Sequence, residues 1–248
     1  MKDLKIQKTN GILFGIGVGP GDPELLTLKA IRAINESSVI FTASSSKNKY
    51  SLALEIARDH LQKEVRVIPL SFPMTRDIRV TRKAWQENAA LILGEMNKGY
   101  HCAFLTLGDP MTYSTFGYIL RAVIDLDPGA EIVTIPGITS YQAAAATMNQ
   151  PLVEGDESLV LLSGNEGGDR IAEAISKNEN FVLLKAYRKL EQILDQMQSS
   201  GVYQQGKAVI RCGRPDQRII KNLDELRQQD PDYWTLIIAK KSVVSDES

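Results

Sequence analysis

The most informative segment of the chain reads Leu105-Thr-Leu-Gly-Asp-Pro-Met-Thr-Tyr-Ser-Thr-Phe-Gly117. It runs from an apolar strand through the tight turn Gly108-Asp109-Pro110 into a predicted helix. Glycine adopts backbone angles that other residues resist, and proline fixes φ and lacks an N–H donor. A turn of this kind at the carboxyl end of a strand can bring main chain close to a ligand.

Two other segments have the same character. They read Gly15-Ile-Gly-Val-Gly-Pro-Gly-Asp-Pro23 and Ile135-Pro-Gly-Ile-Thr-Ser-Tyr-Gln-Ala143. Each follows an apolar run and precedes a helical pattern. Three strand-to-helix glycine turns in the first part of the chain predict one cleft with three walls.

Apolar periodicity alternates between strand and helix along the whole chain. In the first part the pattern predicts strands at residues 12–18, 39–41, 65–70, 102–107 and 132–135, with helices between them. This alternation predicts a largely parallel sheet with helices on both faces. A second series, with strands at residues 159–162, 181–184, 208–211 and 234–239, follows a turn-rich segment. We therefore expect two α/β lobes, residues 1–130 and 131–248, with the boundary between about Asp125 and Pro136.

Composition places the chain among ordinary globular enzymes. Its 248 residues are 43% hydrophobic and 24% charged, with a net charge of −1. Such a balance predicts no nucleic-acid partner and no membrane partner. The start of the chain has mixed charge and no apolar signal region, and Cys102 and Cys212 are predicted to be unpaired thiols. We expect a cytoplasmic location.

Better-known motifs do not fit the first glycine segment. A dinucleotide fingerprint needs glycine at its first, third and sixth positions, and the sixth position here is Pro20 or Asp22. The chain contains no Gly-Lys-Ser or Gly-Lys-Thr of a P-loop, so a dinucleotide-binding Rossmann domain and a P-loop kinase are disfavoured. The two histidines, His60 and His101, lack ligand spacing with either cysteine, and we expect no protein-bound metal.

Three motifs, in this order and spacing, resemble the tetrapyrrole (corrin/porphyrin) methyltransferases, which use S-adenosylmethionine. They are the segment from Gly15 to Ala30, Leu107-Gly-Asp-Pro110 and Ile135-Pro-Gly-Ile-Thr139. The resemblance covers nearly the whole chain. It implies a fold of two α/β lobes with the cofactor in the cleft between them, in a homodimer.

Further segments resemble the branch of that family that methylates carbon 20 of precorrin-2, or of its cobalt-containing counterpart, in cobalamin biosynthesis. They are Ser71-Phe-Pro-Met74, Thr106–Tyr118, Pro136–Ala146 and Pro151–Glu157. The alternatives are another corrin-ring or uroporphyrinogen methyltransferase, or a ribosomal-RNA or diphthamide relative with the same cofactor. A tetrapyrrole carrier without catalysis and a nucleotide-dependent oxidoreductase are weaker alternatives.

The resemblance also implies cofactor-binding residues. Pro20 falls in the glycine-rich loop that lines the cleft, and Gly108, Asp109 and Pro110 form the turn that holds the methionine part of the cofactor. The other positions carried over are Tyr113, Thr139, Ser140, Lys185, Gly213 and Thr235. Lys185 is expected to contact the cofactor through its backbone, Gly213 lies near the adenine, and Thr235 meets the adenine through main chain.

Several of these residues have a purely structural alternative. Asp109 could cap the following helix, Thr139 is an apt N-cap, and Tyr113 could be core. The resemblance implies a substrate with about eight carboxylates, which need cationic partners. Arg76 and Arg79 are the candidates for substrate binding, within a cationic set that also includes Lys47, Lys49, Arg82 and Lys83. This set could equally be solvated surface, and the sequence names no catalytic base.

Overall fold

A computed structural model describes residues 10–44, 51–164, 168–177 and 180–241. The chain divides into two compact units, Met1–Thr139 and Ser140–Ser248. This division falls later than the boundary at residues 130 and 131 that the sequence predicts. The reason is the strand Ile132–Ile135, which pairs with Leu13–Gly17 and so belongs to the first sheet.

The first unit is built on a five-stranded parallel sheet with the order β3-β2-β4-β1-β5. Its strands are β1 (Leu13–Gly17), β2 (Val39–Ser44), β3 (Arg66–Ser71), β4 (Cys102–Thr106) and β5 (Ile132–Ile135). Every residue of β1 and β4 is buried. Continuous apolar strands are typical of a parallel sheet that is covered on both faces.

Helices cover both faces of this sheet, as the β–α alternation predicts. They are α1 (Leu28–Glu36), α2 (Leu52–Ala57), α3 (Ile78–Met96) and α4 (Phe116–Leu126). Side chains alternate along β1, so Leu13 packs into the core under α3 and α4, whereas Phe14 packs into the core under α1 and α2. The parallel sheet with helices on both faces is therefore confirmed for the first unit.

The sequence pattern predicts a helix over residues 23–34, whereas α1 begins only at Leu28. Pro23–Leu25 forms a short 3₁₀ turn, and Asp22 caps it by accepting a hydrogen bond from Glu24 N–H at 2.9 Å. Thr27 then accepts from Ala30 N–H at 3.1 Å and caps α1. The two successive capping residues, Asp22 and Thr27, divide the predicted helix into a 3₁₀ turn and α1.

The second unit has a mixed sheet with the order β6-β7-β10-β8-β9. Its strands are β6 (Leu159–Ser163), β7 (Asn180–Leu184), β8 (Lys207–Ile210), β9 (Arg218–Ile220) and β10 (Thr235–Lys240), and its helices are α5 (Ser140–Thr147), α6 (Gly168–Lys177), α7 (Leu190–Ser199) and α8 (Asp224–Arg227). Only β6 and β7 pair in parallel within this sheet, and β10 is antiparallel to both of its neighbours. The sequence pattern missed β9 and α8, which have 3 and 4 residues.

Both cysteines, Cys102 and Cys212, are buried free thiols, as predicted. Burial raises the pKa of Cys102 to about 12 and that of Cys212 to about 11, so neither is a reactive thiolate at neutral pH. Within the described part of the chain, no helix combines the length and the apolar character that crossing a bilayer requires.

Candidate functional site

The first unit has a topological switch point between β1 and β4. These strands are neighbours, but the helix after β1 covers one face of the sheet and the helix after β4 covers the other. In open α/β sheets, ligands bind outside the carboxyl ends of the strands at such a point. Because the strand order places β1 between β4 and β5, the three glycine turns lie side by side at this edge.

Backbone hydrogen bonds join the first two turns. Gly108 N–H donates to the Gly19 carbonyl at 2.7 Å, and Gly19 N–H donates back to the Gly108 carbonyl at 3.3 Å. Val18 N–H donates to the Thr106 carbonyl at 3.0 Å and extends the pairing beyond the ends of β1 and β4. The loop containing Pro20 and the Gly-Asp-Pro turn therefore form one structural unit.

The third turn packs against the other two without any side chain between them. A β-carbon added to Gly17 would lie 2.5 Å from the Gly108 carbonyl oxygen and 2.6 Å from the Gly137 nitrogen. A β-carbon added to Gly137 would collide with the same carbonyl oxygen. Only glycine fits at residues 17 and 137, so the motif glycines are required for main-chain contact between the turns.

Gly108 is different, because its missing side chain faces open space. Its φ is +68°, and a β-carbon added there would meet no protein atom within 4 Å. The backbone of the turn is consequently bare on this side. Such a surface lets a ligand approach the main chain closely.

The Asp109 carboxylate is engaged by donors of the chain itself. Its Oδ1 accepts from Met111 N–H at 2.8 Å and from Thr112 Oγ1 at 3.4 Å. Its Oδ2 accepts from Gly137 N–H at 3.1 Å. The alternative that Asp109 caps the following helix is wrong, because α4 begins only at Phe116.

The remaining candidates of the first unit lie near these turns. Pro20 and Pro110 are buried, and Thr139 is 8% exposed at the end of the unit. Tyr113 is 56% exposed with a φ of +49°, so the alternative that it is core is wrong. Side chains of Thr106 and Ser114 hydrogen-bond at 2.8 Å beneath the turn, a pair that the sequence reasoning missed.

The candidates of the second unit gather at one end of its sheet. β7 and β8 are both antiparallel to β10, so their carboxyl ends lie beside the start of β10 at Thr235. Lys185 directly follows β7 with a φ of +57°, and Gly213 follows β8 with a φ of +75°. Ser140 begins α5, which packs against β10.

Main-chain hydrogen bonds stabilise this end of the second sheet. Ala186 N–H donates to the Thr235 carbonyl at 2.9 Å, and Thr235 N–H donates to the Asp232 carbonyl at 3.1 Å. Arg211 has a φ of +54° and binds Asp216 and Asp232 through its guanidinium. A left-handed conformation is strained for a non-glycine residue and is common near functional sites. Arg211 carried no recognisable signal in the sequence.

The cationic candidates flank the start of α3. Arg76 is exposed, whereas Arg79 forms a two-pronged contact with Asp77, at 3.3 Å from Nε and 3.1 Å from Nη2. Lys83 lies 3.8 Å from Glu87 across one helical turn, and Arg82 is exposed. Lys47 and Lys49 lie outside the described residues. In the described ranges, no group of three or more His, Cys, Asp or Glu side chains could hold a metal ion.

Known proteins resemble this chain over nearly its full length. Cobalt-precorrin-2 C(20)-methyltransferase of Salmonella typhimurium is 31% identical over 233 residues, which are 94% of this chain and 97% of that protein. A probable cobalt-precorrin-2 C(20)-methyltransferase of Methanocaldococcus jannaschii is 33% identical over 92% of this chain and 96% of that protein.

Solved structures share the fold. A cobalt precorrin-4 methyltransferase covers 92% of this chain and 94% of its own, with a TM-score of 0.71 and 22% identity. Uroporphyrin-III C-methyltransferase from Thermus thermophilus, complexed with S-adenosylhomocysteine, has a TM-score of 0.68 and 22% identity over 93% and 92% of the two chains. The family model of the tetrapyrrole (corrin/porphyrin) methylases matches residues 13–227, and the chain belongs to that family.

Proposed function

We propose that this protein transfers a methyl group from S-adenosylmethionine to carbon 20 of precorrin-2 in its cobalt-containing form, a step of cobalamin biosynthesis. The observation that carries the proposal is the similarity to C20-methyltransferases along nearly the whole chain. The cobalt-containing substrate is favoured because these two relatives are 31% and 33% identical, whereas the precorrin-2 C(20)-methyltransferase of a Sinorhizobium species is 27% identical. Cobalt enters this proposal as part of the substrate.

The residues at the glycine turns fit S-adenosylmethionine. Gly108 presents bare backbone to open space, which suits close contact with the methionine part of the cofactor. Pro110 and Tyr113 follow Gly108 in the chain, Pro20 follows Gly19, whose backbone is hydrogen-bonded to that of Gly108, and Thr139 ends the same unit. When bound, the cofactor supplies a methyl group that its sulfonium sulfur already activates.

The second unit contributes the other proposed cofactor residues. Ser140, Lys185, Gly213 and Thr235 fall on α5, on the turns after β7 and β8, and at the start of β10. Both main-chain groups of Thr235 are hydrogen-bonded within the unit, so contact there would use the second lone pair of its carbonyl oxygen or packing against the backbone.

The protein's own task in this reaction is alignment. An activated methyl group and an electron-rich ring carbon need a fixed distance and angle, and the exclusion of water, more than they need an acid or a base. The interlocked turns provide a rigid edge for this purpose. Arg76 and Arg79 are the proposed partners of the substrate carboxylates, and Arg76 has the freer guanidinium because Arg79 already contacts Asp77.

We also propose a homodimer in the cytoplasm. Apolar side chains remain exposed on the packed pair of helices α3 and α4, among them Ile78, Leu91, Tyr118, Ile124 and Leu126. A second copy that covers them would remove this surface from water. The two buried, unpaired cysteines are in keeping with a reducing compartment.

The test of the activity is direct. The purified protein is incubated with methyl-labelled S-adenosylmethionine and with precorrin-2, with and without cobalt, and the labelled carbon is identified by NMR. We expect label at carbon 20 and a higher kcat/KM for the cobalt-containing ring. Label at another ring carbon, or on uroporphyrinogen, would assign the protein to a different branch of the family.

A further inference from the structure

Asp109 joins two turns that are distant in the sequence. Its Oδ1 holds Met111 and Thr112 of its own turn, while its Oδ2 accepts from Gly137 N–H at 3.1 Å, 28 residues further along the chain. Gly137 in turn rests against Gly17 and the Gly108 carbonyl, where no side chain fits. One carboxylate therefore connects the turn after β4 to the turn after β5.

These hydrogen bonds limit how the Asp109 carboxylate can contact a ligand. A carboxylate accepts only, and here both of its oxygens receive donors from the protein. Hydrogen bonds to a charged acceptor are about twice as strong as neutral ones, so the bond from Gly137 N–H stabilises the contact between the two turns. Met111 and Thr112 occupy the acceptor sites of Oδ1, so a cofactor group could reach only the remaining lone pair of Oδ2, which Gly137 N–H holds in place.

We propose that Asp109 is a positioning residue. It fixes the bare backbone of Gly108 relative to Gly137 and acts on S-adenosylmethionine through the shape of the turns, without contacting the cofactor's charged groups. The inference rests on the proposed function for the identity of the ligand. Its structural part, the link between Asp109 and Gly137, can be tested without any ligand.

The informative variant is Asp109→Asn. Asparagine forms the same local turn with the N–H two residues on, so the bond to Met111 can persist. Its other terminal atom becomes an NH₂ group, which cannot accept from Gly137 N–H. The control is Asp127→Asn, because Asp127 Oδ1 accepts from Gly129 N–H at 3.0 Å in an exposed turn after α4.

The first measurement is hydrogen exchange of the segment 132–139 in the ligand-free protein. We expect Gly137 N–H to exchange at least tenfold faster in Asp109→Asn than in the wild type, and at the wild-type rate in Asp127→Asn. Unchanged exchange in a folded Asp109→Asn protein would overturn the link. If Asp109→Asn does not fold, Asp109→Ser, whose hydroxyl can still bond Met111 N–H, replaces it in the same comparison.

The second measurement is the affinity for three ligands by calorimetry. They are S-adenosylmethionine, S-adenosylhomocysteine, and a deaminated S-adenosylhomocysteine that lacks the α-amino group of its homocysteine part. A positioning role predicts that Asp109→Asn weakens all three by a similar factor of about ten, equivalent to roughly 1.4 kcal/mol. A loss confined to S-adenosylmethionine would indicate contact with the sulfonium, and a loss that spares the deaminated ligand would indicate contact with the ammonium. Either result overturns the proposal.

The two measurements separate this inference from the proposed function. If the wild-type protein binds none of the three ligands, the proposed function fails, whereas the exchange of Gly137 N–H still reports on the link. If the wild type binds them and exchange at Gly137 does not respond to Asp109→Asn, the positioning role fails alone.

Discussion

Gly17 and Gly137 touch through their backbones: a β-carbon added to either residue would lie 2.8 Å from the α-carbon of the other. The contact brings the end of β1 against the turn after β5 and leaves the Gly108 carbonyl between them. Most of the proposed cofactor site in the first unit depends on this close approach.

Gly137→Ala should therefore disturb the site strongly. The added methyl group would collide with the Gly108 carbonyl, which belongs to the rigid backbone and cannot move aside cheaply. Overpacking of this kind costs about 1–3 kcal/mol of stability. We expect a lower midpoint of unfolding in urea and at least tenfold weaker binding of S-adenosylmethionine.

Gly94→Ala is the matched control, because Gly94 lies in α3 and a β-carbon there would meet no atom within 4 Å. Alanine in an exposed helix should add up to about 1 kcal/mol of stability and leave cofactor binding unchanged. Wild-type stability and affinity in Gly137→Ala would show that the turns are looser than the structure indicates.

Gly108→Val should weaken cofactor binding severely in a protein that remains folded. The side chain would enter the open space beside the turn, where we place the methionine part of the cofactor. The comparison is Gly155→Val, since Gly155 also has a positive φ, +54°, with open space around it, but lies in a turn of the second unit. Both variants should lose similar stability from backbone strain. Calorimetry should show loss of affinity in Gly108→Val alone, and equal affinities would remove this turn from the site.

Arg76→Ala and Arg79→Ala should raise the Michaelis constant for the tetrapyrrole and spare cofactor affinity. A hydrogen bond to a charged partner contributes roughly 1.5–3 kcal/mol, so each loss should cost about tenfold or more. Arg79→Ala also removes the guanidinium that faces the Asp77 carboxylate, and that carboxylate then repels substrate carboxylates. Lys98→Ala is the control, because Lys98 pairs with Glu95 just beyond the far end of α3. Wild-type kinetics in both arginine variants at low salt would place the substrate carboxylates elsewhere.

Glu157 should make the second unit sensitive to acid. The Glu154 N–H, and next the Lys240 ammonium, hold the pKa of the Glu157 carboxyl below its ordinary value. A carboxyl whose pKa falls on folding adds stability above its unfolded pKa, about 4.3, and that stability is lost as pH falls through the folded pKa. The wild type should therefore have a higher Tm than Glu157→Gln at pH 7, and the gap should close as pH falls through the lowered pKa of the folded state.

Calorimetric scans between pH 3 and pH 7 measure this gap, with Glu64→Gln as the control because Glu64 is an exposed glutamate of the first unit. A Tm difference between the wild type and Glu157→Gln that stays constant over this range would contradict the predicted linkage.

The proposed dimer can be tested by sedimentation. Each chain has a mass of 27.4 kDa, and we expect the wild type to sediment as a species of twice that mass. Leu91→Asp places a charge on the exposed apolar side of α3 and should dissociate the dimer. Leu28→Asp, on α1, changes an equally apolar residue that is 72% exposed on the other side of the sheet, and should leave the dimer intact. A single wild-type species near 27.4 kDa would defeat the proposal.

Local sequence was sufficient to predict the repeating elements of the first unit. Each of its strands is an apolar run and each helix has an apolar face, so local periodicity was enough to predict the parallel sheet and its two covered faces. It also located the glycine turns, because Gly108-Asp109-Pro110 and its two counterparts interrupt that periodicity with residues of special backbone geometry. The order and spacing of those turns carried the resemblance to the family.

The local sequence pattern did not predict very short elements. It also did not predict the unit to which a strand belongs when strand pairing determines that unit. β9 and α8 are too short to show a period, with 3 and 4 residues. β5 was predicted with its observed bounds. It belongs to the first unit, however, because it pairs with β1, a strand more than a hundred residues earlier in the chain. Pairing between distant strands leaves no trace in the local pattern of either strand.

The contacts among the motif residues are visible only in the tertiary structure. Gly17 and Gly137 belong to two of the three glycine motifs, but their contact forms only when β1 and β5 lie side by side. Asp109 could have been a helix cap or a cofactor ligand on sequence grounds, and its hydrogen bond from Gly137 N–H is the basis of the positioning role that we propose. A sequence specifies which groups can donate, accept or stay bare, whereas folding determines which of them meet, because the partners are supplied by distant parts of the chain.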